Sequence, residues 1–307
     1  MQYVRNRPII LAHTINSECN LRCPFCPFWR RKRDEMSKEE IFKFLRKCKE
    51  LGVLIYNVWA TEPLLRQDLA ECLRYARFLG MKTFVITNGT LLKDKIEVLK
   101  YCDYLAVSID GIKTYSELRG YRLEDVIEGI VKARNAGIKT SINCILNNKN
   151  LDEVVELVSL AEGIGVGILF EPIHEYENIS KDVWDEFGIR DTRKYKEAVD
   201  KIIEMKRRGK PVLNSYSYLK MIRELKPDFK CKVNEVIIHL SSDGKIESCF
   251  GVVGSVDDDL AKLWSSWKNK TKKLVEGCEG CLFSGYVEIS LLFSFNVEVM
   301  LNYMKYL

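Results

Sequence analysis

Hydrophobic and polar positions follow two alternating patterns in the first half of the chain. From Ile9 to about Glu171, short apolar runs alternate with longer segments whose apolar residues recur at helical spacing. Short apolar runs are typical of buried strands, and the longer segments of amphipathic helices. The pattern predicts six strands: Ile9–Thr14, Leu54–Ala60, Lys82–Thr87, Tyr104–Ile109, Ile138–Leu146 and Gly167–Glu171. Strands that alternate with helices in this way form a parallel α/β domain.

The predicted helices lie between these strands. The best marked begins after Ser37, because Ser37 and Glu40 form a capping box and an apolar stripe follows. The helices are expected to begin near Ser37, Gln67, Lys93, Leu123 and Leu151. Six strand and helix units are two fewer than a closed eight-stranded barrel has. We therefore expect a partial (β/α)6 TIM-like barrel whose open side admits a large substrate, with the chemistry at the C-terminal ends of the strands.

The pattern changes after Glu171. A charged helical stretch covers Asp191–Arg208, and a hairpin is predicted where Asp243-Gly244 lies between two apolar runs. We expect a barrel over residues 1–180, a helical linker over 181–230 and a small β-hairpin and helix domain over 231–307.

The chain ends in a largely apolar tail. Residues Ile289–Leu307 carry only Glu298 and Lys305 as charges, although Asn296 and Asn302 also interrupt the run. We interpret the tail as a buried C-terminal helix that closes the open barrel. The alternative is a membrane-surface helix that serves a lipid substrate.

Composition excludes several classes of protein. Hydrophobic residues make up 47% and charged residues 30% of the 307 positions, which is typical of a globular protein. The net charge of +5 and the pI near 8.5 do not predict nucleic-acid binding. Because Arg5, Arg7 and Pro8 precede only a short apolar run, no signal peptide is predicted and a cytoplasmic location is expected. Eleven cysteines in that compartment favour metal ligation and buried thiols over disulfides.

The strongest chemical signal is the triad Cys19, Cys23 and Cys26, which directly follows the first predicted strand. A 4Fe-4S cluster normally takes four cysteine ligands, so three leave one iron open to another ligand. The spacing and the aromatic Phe25 resemble the cluster loop of the radical S-adenosylmethionine (SAM) enzymes. The resemblance implies that SAM binds the open iron and that Phe25 packs near its adenine.

A second motif, Ala60-Thr61-Glu62-Pro63-Leu64, resembles the G-G-E-P-L segment of the same family. By resemblance, Glu62 accepts hydrogen bonds from the SAM ammonium. Ala60 and Thr61 replace two glycines, so the path of this loop is in question. The alternative for Glu62 is a carboxylate that stabilises a helix N-terminus.

Further polar residues end the next strands. By resemblance, several of them contact SAM or its surroundings, although turn chemistry explains some of them equally well. These residues are Thr87, Asn88, Ser108, Asp110, Arg119 and Asn143. Ser108 is expected at the SAM ribose or carboxylate, Asp110 at groups near the barrel mouth, and Arg119 at a carboxylate of SAM or substrate.

A second cysteine set lies in the C-terminal part, at Cys231, Cys249, Cys278 and Cys281. With Gly244 before Cys249, its spacing resembles the Twitch form of the SPASM/Twitch extensions, which implies one auxiliary 4Fe-4S cluster. A four-thiolate zinc site is the alternative. Four other cysteines, Cys48, Cys72, Cys102 and Cys144, are expected to be buried.

Three residues after the sixth strand, Glu171, His174 and Tyr176, are candidate catalytic groups at the barrel mouth, although structural roles are equally open. His13 and His239 are further candidates. The basic run Arg30–Arg33 is interpreted as a solvated loop, with steering of an anionic substrate or reductant as the alternative.

These patterns together predict a radical SAM enzyme that cleaves SAM to a 5'-deoxyadenosyl radical, with a flavodoxin- or ferredoxin-type protein as reductant. Because 18 residues precede Cys19, a fused leader-peptide domain is not expected, which favours a small-molecule or lipid substrate. The alternatives are a peptide-modifying maturase and a non-catalytic iron-sulfur protein with a redox or regulatory role.

Overall fold

The computed structural model describes residues 7–304, which build one continuous sheet covered by helices. The strand order is β6-β5-β4-β3-β2-β1-β7-β8-β9. The strands are β1 Ile10–Thr14, β2 Ile55–Trp59, β3 Lys82–Thr87, β4 Tyr104–Ser108, β5 Lys139–Leu146, β6 Gly167–Pro172, β7 Ile237–Leu240, β8 Lys245–Ser248 and β9 Gly251–Ser255. All neighbours from β1 to β6 pair in parallel, as the partial barrel prediction requires.

The six predicted strands are confirmed, each close to its expected bounds. Along β2 and β6 buried residues alternate with half-buried ones, so the face that packs against the helices carries the apolar signal. The helices are α1 Lys38–Leu51, α2 Leu69–Phe78, α3 Leu92–Lys95, α4 Tyr115–Arg119, α5 Leu123–Asn135, α6 Val154–Ile164, α7 Lys181–Phe187, α8 Thr192–Arg207, α9 Tyr216–Glu224, α10 Val233–Val236, α11 Leu260–Glu276, α12 Ser284–Phe293 and α13 Val297–Met304.

The capping box predicted for the first helix is present. The Ser37 hydroxyl accepts from the Glu40 backbone N–H, and the Glu40 side chain accepts from the Ser37 backbone N–H. Gly52 caps the C-terminus of this helix with a φ of 109°, a value that glycine adopts readily. Ile41, Phe44 and other residues of its apolar stripe are buried against the sheet.

The hairpin predicted near Asp243-Gly244 is present as β7 and β8, but it does not form a sheet of its own. β7 pairs in parallel with β1, and β8 and β9 continue antiparallel from it. The C-terminal segment therefore extends the barrel sheet on the side of β1, the strand that precedes the cysteine triad. The domain boundaries at residues 180 and 230 stay a prediction.

Buried side chains fill the space between the sheet and its helices. Cys48, Cys72, Cys102 and Cys144 lie in this core and are at most 5% exposed. His13 is also fully buried, where its Nδ1 lies 2.9 Å from the Tyr56 hydroxyl. Burial lowers the pKa of His13 to about 3, so the ring is neutral at physiological pH.

Two carboxylates attach the C-terminal helices α12 and α13 to helix α9. Glu288 of α12 accepts a hydrogen bond from the Ser215 backbone N–H, and Glu298 of α13 accepts from the N–H groups of Tyr216 and Ser217. All three donors lie at the N-terminus of α9, where unsatisfied N–H groups attract negative charge.

The apolar tail forms α12 and α13, and its last residues, 305–307, lie outside the described part of the chain. Leu291 and Val299 are buried in the core, as the closing-helix interpretation expects. Five large hydrophobic residues of the tail are nevertheless exposed: Phe295, Val297, Met300, Leu301 and Met304. Among residues 7–304 there is no helix with the length and hydropathy needed to cross a membrane.

Glu288 makes the attachment of α12 dependent on pH. Burial raises the pKa of its carboxyl to about 7, and its Oε2 atom has no partner among the described residues. The folded protein therefore holds a proton up to about pH 7 that an unfolded chain releases near the ordinary value of 4.5. Stability must fall as the pH rises through this interval.

We predict that Glu288→Gln, which mimics the protonated carboxyl, stabilises the protein at pH 8 and changes little at pH 5. The size is at most on the order of 3 kcal/mol, from the shift in pKa. Melting temperatures of the anaerobically prepared protein at both pH values measure it. An equal effect at the two pH values would show that Glu288 does not titrate in this way.

Candidate active site

The cysteine triad lies on the loop that leaves the C-terminal end of β1. Cys23 is buried, and Cys19 and Cys26 are half-buried. Phe25, between them, is 4% exposed and packs with its ring centroid 5.7 Å from that of Phe187. This apolar contact holds the cysteine loop at the C-terminal end of the barrel strands.

The three thiols are close enough for their charges to interact. Burial is the largest cause that raises the pKa of each one, and the charges of neighbouring cysteines raise it further. Such thiols are ionised by metal rather than by solvent. The described residues contain no group of three or more His, Cys, Asp or Glu that could hold a single metal ion. A 4Fe-4S cube takes one thiolate at each iron, so three cysteines supply ligands for three of its four irons.

Asn88 lies beside Cys19 rather than in open space. Its Nδ2 is 3.7 Å from the Cys19 sulfur and donates to Asn20 Oδ1 at 2.9 Å. Thr90 donates to Asn88 Oδ1 through both its backbone N–H and its hydroxyl. The sequence resemblance predicts that Asn88 lies near SAM. In the structure its amide lies against the sulfur of Cys19, one of the three predicted cluster ligands. Hydrogen bonds to the sulfurs are one of the features that set a cluster's potential.

Two arginines and a tryptophan cover the backbone of the triad. Arg22 donates to the Cys19 carbonyl, Trp29 Nε1 to the Cys23 carbonyl at 3.0 Å and Arg30 to the Cys26 carbonyl at 2.8 Å. The two guanidinium carbons lie 5.2 Å and 4.1 Å from the centroid of the Trp29 ring. We call Arg22, Trp29 and Arg30 the carbonyl clamp, because it holds the carbonyls of all three cysteines.

Glu62 joins the ends of β2 and β3. It is fully buried, and its carboxylate accepts from the Thr87 hydroxyl at 2.7 Å and from the backbone N–H groups of Asn88 and Leu64 at 2.7 Å and 2.9 Å. Burial raises the pKa of Glu62, and these three hydrogen bonds act against that shift. A carboxylate has about four acceptor sites, so one is left for another donor. Both sequence interpretations are thus compatible: Glu62 caps the turn at Pro63–Leu65 and retains capacity for an ammonium.

Ala60 and Thr61, which stand where the G-G-E-P-L motif has two glycines, adopt backbone φ angles that favour glycine. Ala60 and Thr61 have φ values of 62° and 44°, which are costly for residues with a Cβ, and most of all for β-branched threonine. The Thr61 hydroxyl donates to the carbonyl and side-chain oxygens of Asn16, and Asn16 Nδ2 donates to the Glu62 carbonyl at 2.8 Å. Asn16 therefore holds the strained loop in place.

Ser108, Asn143 and Glu171 lie on three neighbouring strands. Ser108 is in register with Asn143 across β4 and β5. Asn143 is a hydrogen-bond partner of Glu171, and Glu171 Oε2 also accepts from the Ser284 backbone N–H at 3.0 Å. Burial raises the pKa of Glu171. This row links the barrel strands to the first residue of α12, three positions after Cys281.

Asp110 and Arg119 form a closed ion pair. Asp110 is fully buried and accepts from Arg119 at 2.6 Å and 2.7 Å, and from the Ile145 backbone N–H at 2.8 Å. Burial alone would lower the pKa of Arg119, but the Asp110 carboxylate raises it well above its usual range. Asp110 thus orients Arg119, whose charge also acts on the nearby Cys23 thiol.

The second cysteine set also converges. Burial raises the pKa of Cys231, Cys249 and Cys281, and each of these thiols also interacts with the charge of Cys278. Cys249 and Cys278 are exposed, and the other two are half-buried. Four convergent thiols are a ligand set that both a 4Fe-4S cluster and a zinc ion accept, so the zinc alternative stays open.

Aromatic rings connect the two cysteine sets. Phe28, two residues after Cys26, lies 6.0 Å from the Tyr176 ring, and Tyr176 lies 6.3 Å from Phe283, two residues after Cys281. Tyr286 continues the row at 5.4 Å from Phe283. All four are half-buried. We call Phe28, Tyr176, Phe283 and Tyr286 the aromatic wall.

Two imidazoles lie against the aromatic wall. His174 stacks on Phe283 at 3.7 Å, and the His239 Nε2 is 3.2 Å from the Tyr286 hydroxyl. Burial lowers the pKa of both histidines to about 4, so both are neutral at pH 7. Burial raises the pKa of Tyr176, and the charges of Glu171, Cys26 and Cys281 raise it further. Because a cysteine of each set acts on it, Tyr176 lies between the two cysteine sets.

Several residues of this site could not be recognised in the sequence. Asn16, Asn20 and Thr90 are ordinary loop residues without a spacing rule, and they act through contacts between distant loops. Trp29 and Arg30 had one usable signal, since they follow the triad directly.

Comparisons with known proteins agree with this geometry. Residues 14–161 match the family described as the Radical SAM superfamily. A "Probable GTP 3',8-cyclase" of Saccharolobus islandicus (strain M.14.25 / Kamchatka #1) is 30% identical over 287 residues, covering 87% of this chain and 91% of the relative. A "GTP 3',8-cyclase" of Aquifex aeolicus (strain VF5) is 31% identical over 181 residues, covering 54% of this chain and 57% of the relative.

Solved structures share the fold. Streptococcus suis SuiB bound to S-adenosylmethionine superposes with a TM-score of 0.69 at 20% identity over 84% of this chain, which spans 66% of the SuiB chain. The chain thus spans just under two thirds of SuiB. The structure described as native anSMEcpe with bound AdoMet and Cp18Cys peptide gives 0.68 at 17% identity, covering 97% of this chain and 95% of that one. At these identities the likeness shows the fold alone.

We predict that Asn16→Ala weakens SAM binding by up to about thirtyfold, since the loop of Ala60 and Thr61 loses its support and two lost hydrogen bonds cost about 1 kcal/mol each. Glycine adopts the same φ values without support. Ala60→Gly/Thr61→Gly should therefore restore most of the affinity in the Asn16→Ala background. Equilibrium binding of SAM to the reconstituted protein measures both effects, and a lack of rescue would show that Asn16 acts elsewhere.

Proposed function

The chain belongs to the radical SAM superfamily, and from this premise we propose that it cleaves SAM reductively and directs the resulting radical to a purine nucleotide, with GTP as the first candidate. The family's cofactors are a 4Fe-4S cluster and SAM, and an auxiliary 4Fe-4S cluster accords with the second cysteine set. The cluster and SAM together supply the one-electron cleavage that yields methionine and a 5'-deoxyadenosyl radical. The remaining roles belong to the chain's own residues.

We assign the SAM-binding cluster to Cys19, Cys23 and Cys26. The three convergent thiols and the amide of Asn88 beside Cys19 support this assignment. The free acceptor site of Glu62 suits the SAM ammonium, and Ser108 and Asn143 lie in register on β4 and β5, farther along the same sheet.

Asp110 holds Arg119 rigidly, so that a guanidinium 10% exposed faces the triad with its orientation fixed. A carboxylate of SAM is the natural partner for a cation in that position. Thr87 acts through Glu62, whose carboxylate it fixes by a hydrogen bond. Phe25 contributes apolar packing below the cluster loop.

We assign the auxiliary cluster to Cys231, Cys249, Cys278 and Cys281. Four cysteines provide every ligand that a 4Fe-4S cluster takes, so this set leaves no iron open to substrate. We therefore propose that the auxiliary cluster transfers electrons and that substrate is bound by side chains.

The substrate proposal is carried by the aromatic wall, which lies between the two cysteine sets. Half-buried aromatic rings bind planar bases by stacking, and each stacked base contributes about 1–3 kcal/mol. His174 and His239 are neutral and can each exchange a hydrogen bond with a base edge. A relative that is 30% identical over nearly the whole chain is named a probable GTP 3',8-cyclase, so GTP is the compound to test first.

The lipid substrate considered from the sequence is corrected by these findings. The relatives that cover nearly the whole chain are named for GTP rather than for a lipid.

We predict that Cys19→Ala lowers bound iron from about eight to about four atoms per chain and abolishes formation of 5'-deoxyadenosine. Cys278→Ala/Cys281→Ala should lose the other four irons. Cys102→Ser, which changes a buried core thiol, is the matched control and should keep both clusters. Iron analysis and product detection after dithionite reduction make the test. If the reduced wild type, with its triad cluster intact, forms no 5'-deoxyadenosine, the proposed function fails.

We predict that Phe283→Ala raises the KM for GTP about tenfold, as expected for loss of one stacking surface, whereas Phe283→Tyr keeps it within about twofold. SAM cleavage in the absence of GTP should not change. Product formation from GTP, measured by mass spectrometry, provides the readout. If the wild type cleaves SAM but leaves GTP unaltered, the nucleotide proposal is rejected and the SAM-cleaving assignment survives.

A further inference from the structure

The basic residues beside the triad are not an ordinary solvated loop. Arg30 of the basic run and Arg22 of the triad loop both hold cysteine carbonyls through the carbonyl clamp, and both are exposed to solvent. A cationic surface thus lies directly over the backbone of all three cysteines. Arg31 and Lys32, also exposed, extend it.

The charge of this surface is uncompensated. Arg33 pairs with Glu247 at 2.6 Å and with Asp243 at 3.6 Å. By contrast, Arg22, Arg30, Arg31 and Lys32 have no ion-pair partner within residues 7–304 that the structure describes. Other surface cations are paired, as Lys93 is with Glu128 and Lys149 with Glu186. Arg22, Arg30, Arg31 and Lys32 together carry four positive charges, against which Asp34 and Glu35 are the exposed carboxylates of residues 30–35.

Chemistry at the triad needs a partner that this chain does not contain. The triad cluster must receive one electron for each SAM cleaved, so a reduced carrier must approach it repeatedly and leave again. Uncompensated charge at such a place raises the rate of encounter with a partner of opposite sign. The half-buried Trp29 ring between two guanidinium groups adds an aromatic centre to the charged rim, a composition typical of protein interfaces.

We propose that the carbonyl clamp together with Arg31 and Lys32 is the docking surface for a small acidic electron-carrier protein with a flavin or iron-sulfur centre. One electron passes from the reduced carrier to the oxidised triad cluster. The carrier is oxidised by one electron, and no bond is formed or broken in the transfer. This inference rests on the radical SAM assignment and does not depend on the identity of the substrate.

The test uses Arg31→Gln/Lys32→Gln, since neither side chain holds a cysteine carbonyl, and SAM cleavage is measured without GTP because Arg31 also lies 5.8 Å from the ring centroid of Phe28 in the aromatic wall. Arg193→Gln/Lys201→Gln, which removes two exposed cations from α8, is the matched control. Binding of oxidised flavodoxin to the reconstituted protein is measured at low and high ionic strength. We expect the Kd at low salt to rise about tenfold in the first variant and to stay within about twofold in the control. High salt should remove most of the difference, because it screens exposed charges.

A second readout compares two reductants. With reduced flavodoxin, the first variant should show a KM for the carrier raised about tenfold. With dithionite, which needs no docking surface, its rate of SAM cleavage should equal that of the wild type. Unchanged flavodoxin binding would overturn the proposal, as would an equal loss in the α8 control. A loss of GTP binding without a loss of carrier binding would also overturn it and would assign these charges to substrate steering.

Discussion

The buried carboxylate of Glu62 is the interaction on which the site depends most. It lies where β2 and β3 end, and it binds the backbone at Leu64 and Asn88 and the side chain of Thr87. Because Asn88 is held in this way, its amide reaches the sulfur of Cys19. One carboxylate thus relates the strand ends that we assign to SAM to the loop of the cysteine triad. A charged group without these three donors would be too costly to bury.

The loop before Glu62 adopts a backbone conformation that favours glycine, although alanine and threonine occupy its two positions. Ala60 and Thr61 adopt φ values that favour glycine, and Asn16 supplies the hydrogen bonds that hold them there. The loss of two glycines is therefore compensated from the loop after β1. Since Asn16 lies three residues before Cys19, the Glu62 loop and the cysteine loop are mechanically connected.

The C-terminal segment completes the site through a different kind of contact. Glu171 of β6 binds the first residue of α12, and Glu288 of α12 binds the start of α9. These contacts bring Cys281 and Phe283 to the barrel mouth, where Tyr176 lies between the two cysteine sets. The aromatic wall therefore joins Phe28 and Tyr176 of the barrel to Phe283 and Tyr286 of the C-terminal segment.

The sequence by itself determined the barrel strands, the first helix cap and both cysteine sets. Short apolar runs mark the strands that pack against the helices, and Ser37 and Glu40 satisfy backbone groups of their own helix, so both signals are local. Tertiary structure decided the rest. The pairing of β7 with β1, the contact of Asn88 with Cys19, the closure of Asp110 on Arg119 and the carbonyl clamp all join segments or orientations that no spacing rule specifies. Periodicity records which side chains are buried, whereas the partner of a buried polar group depends on how distant loops meet.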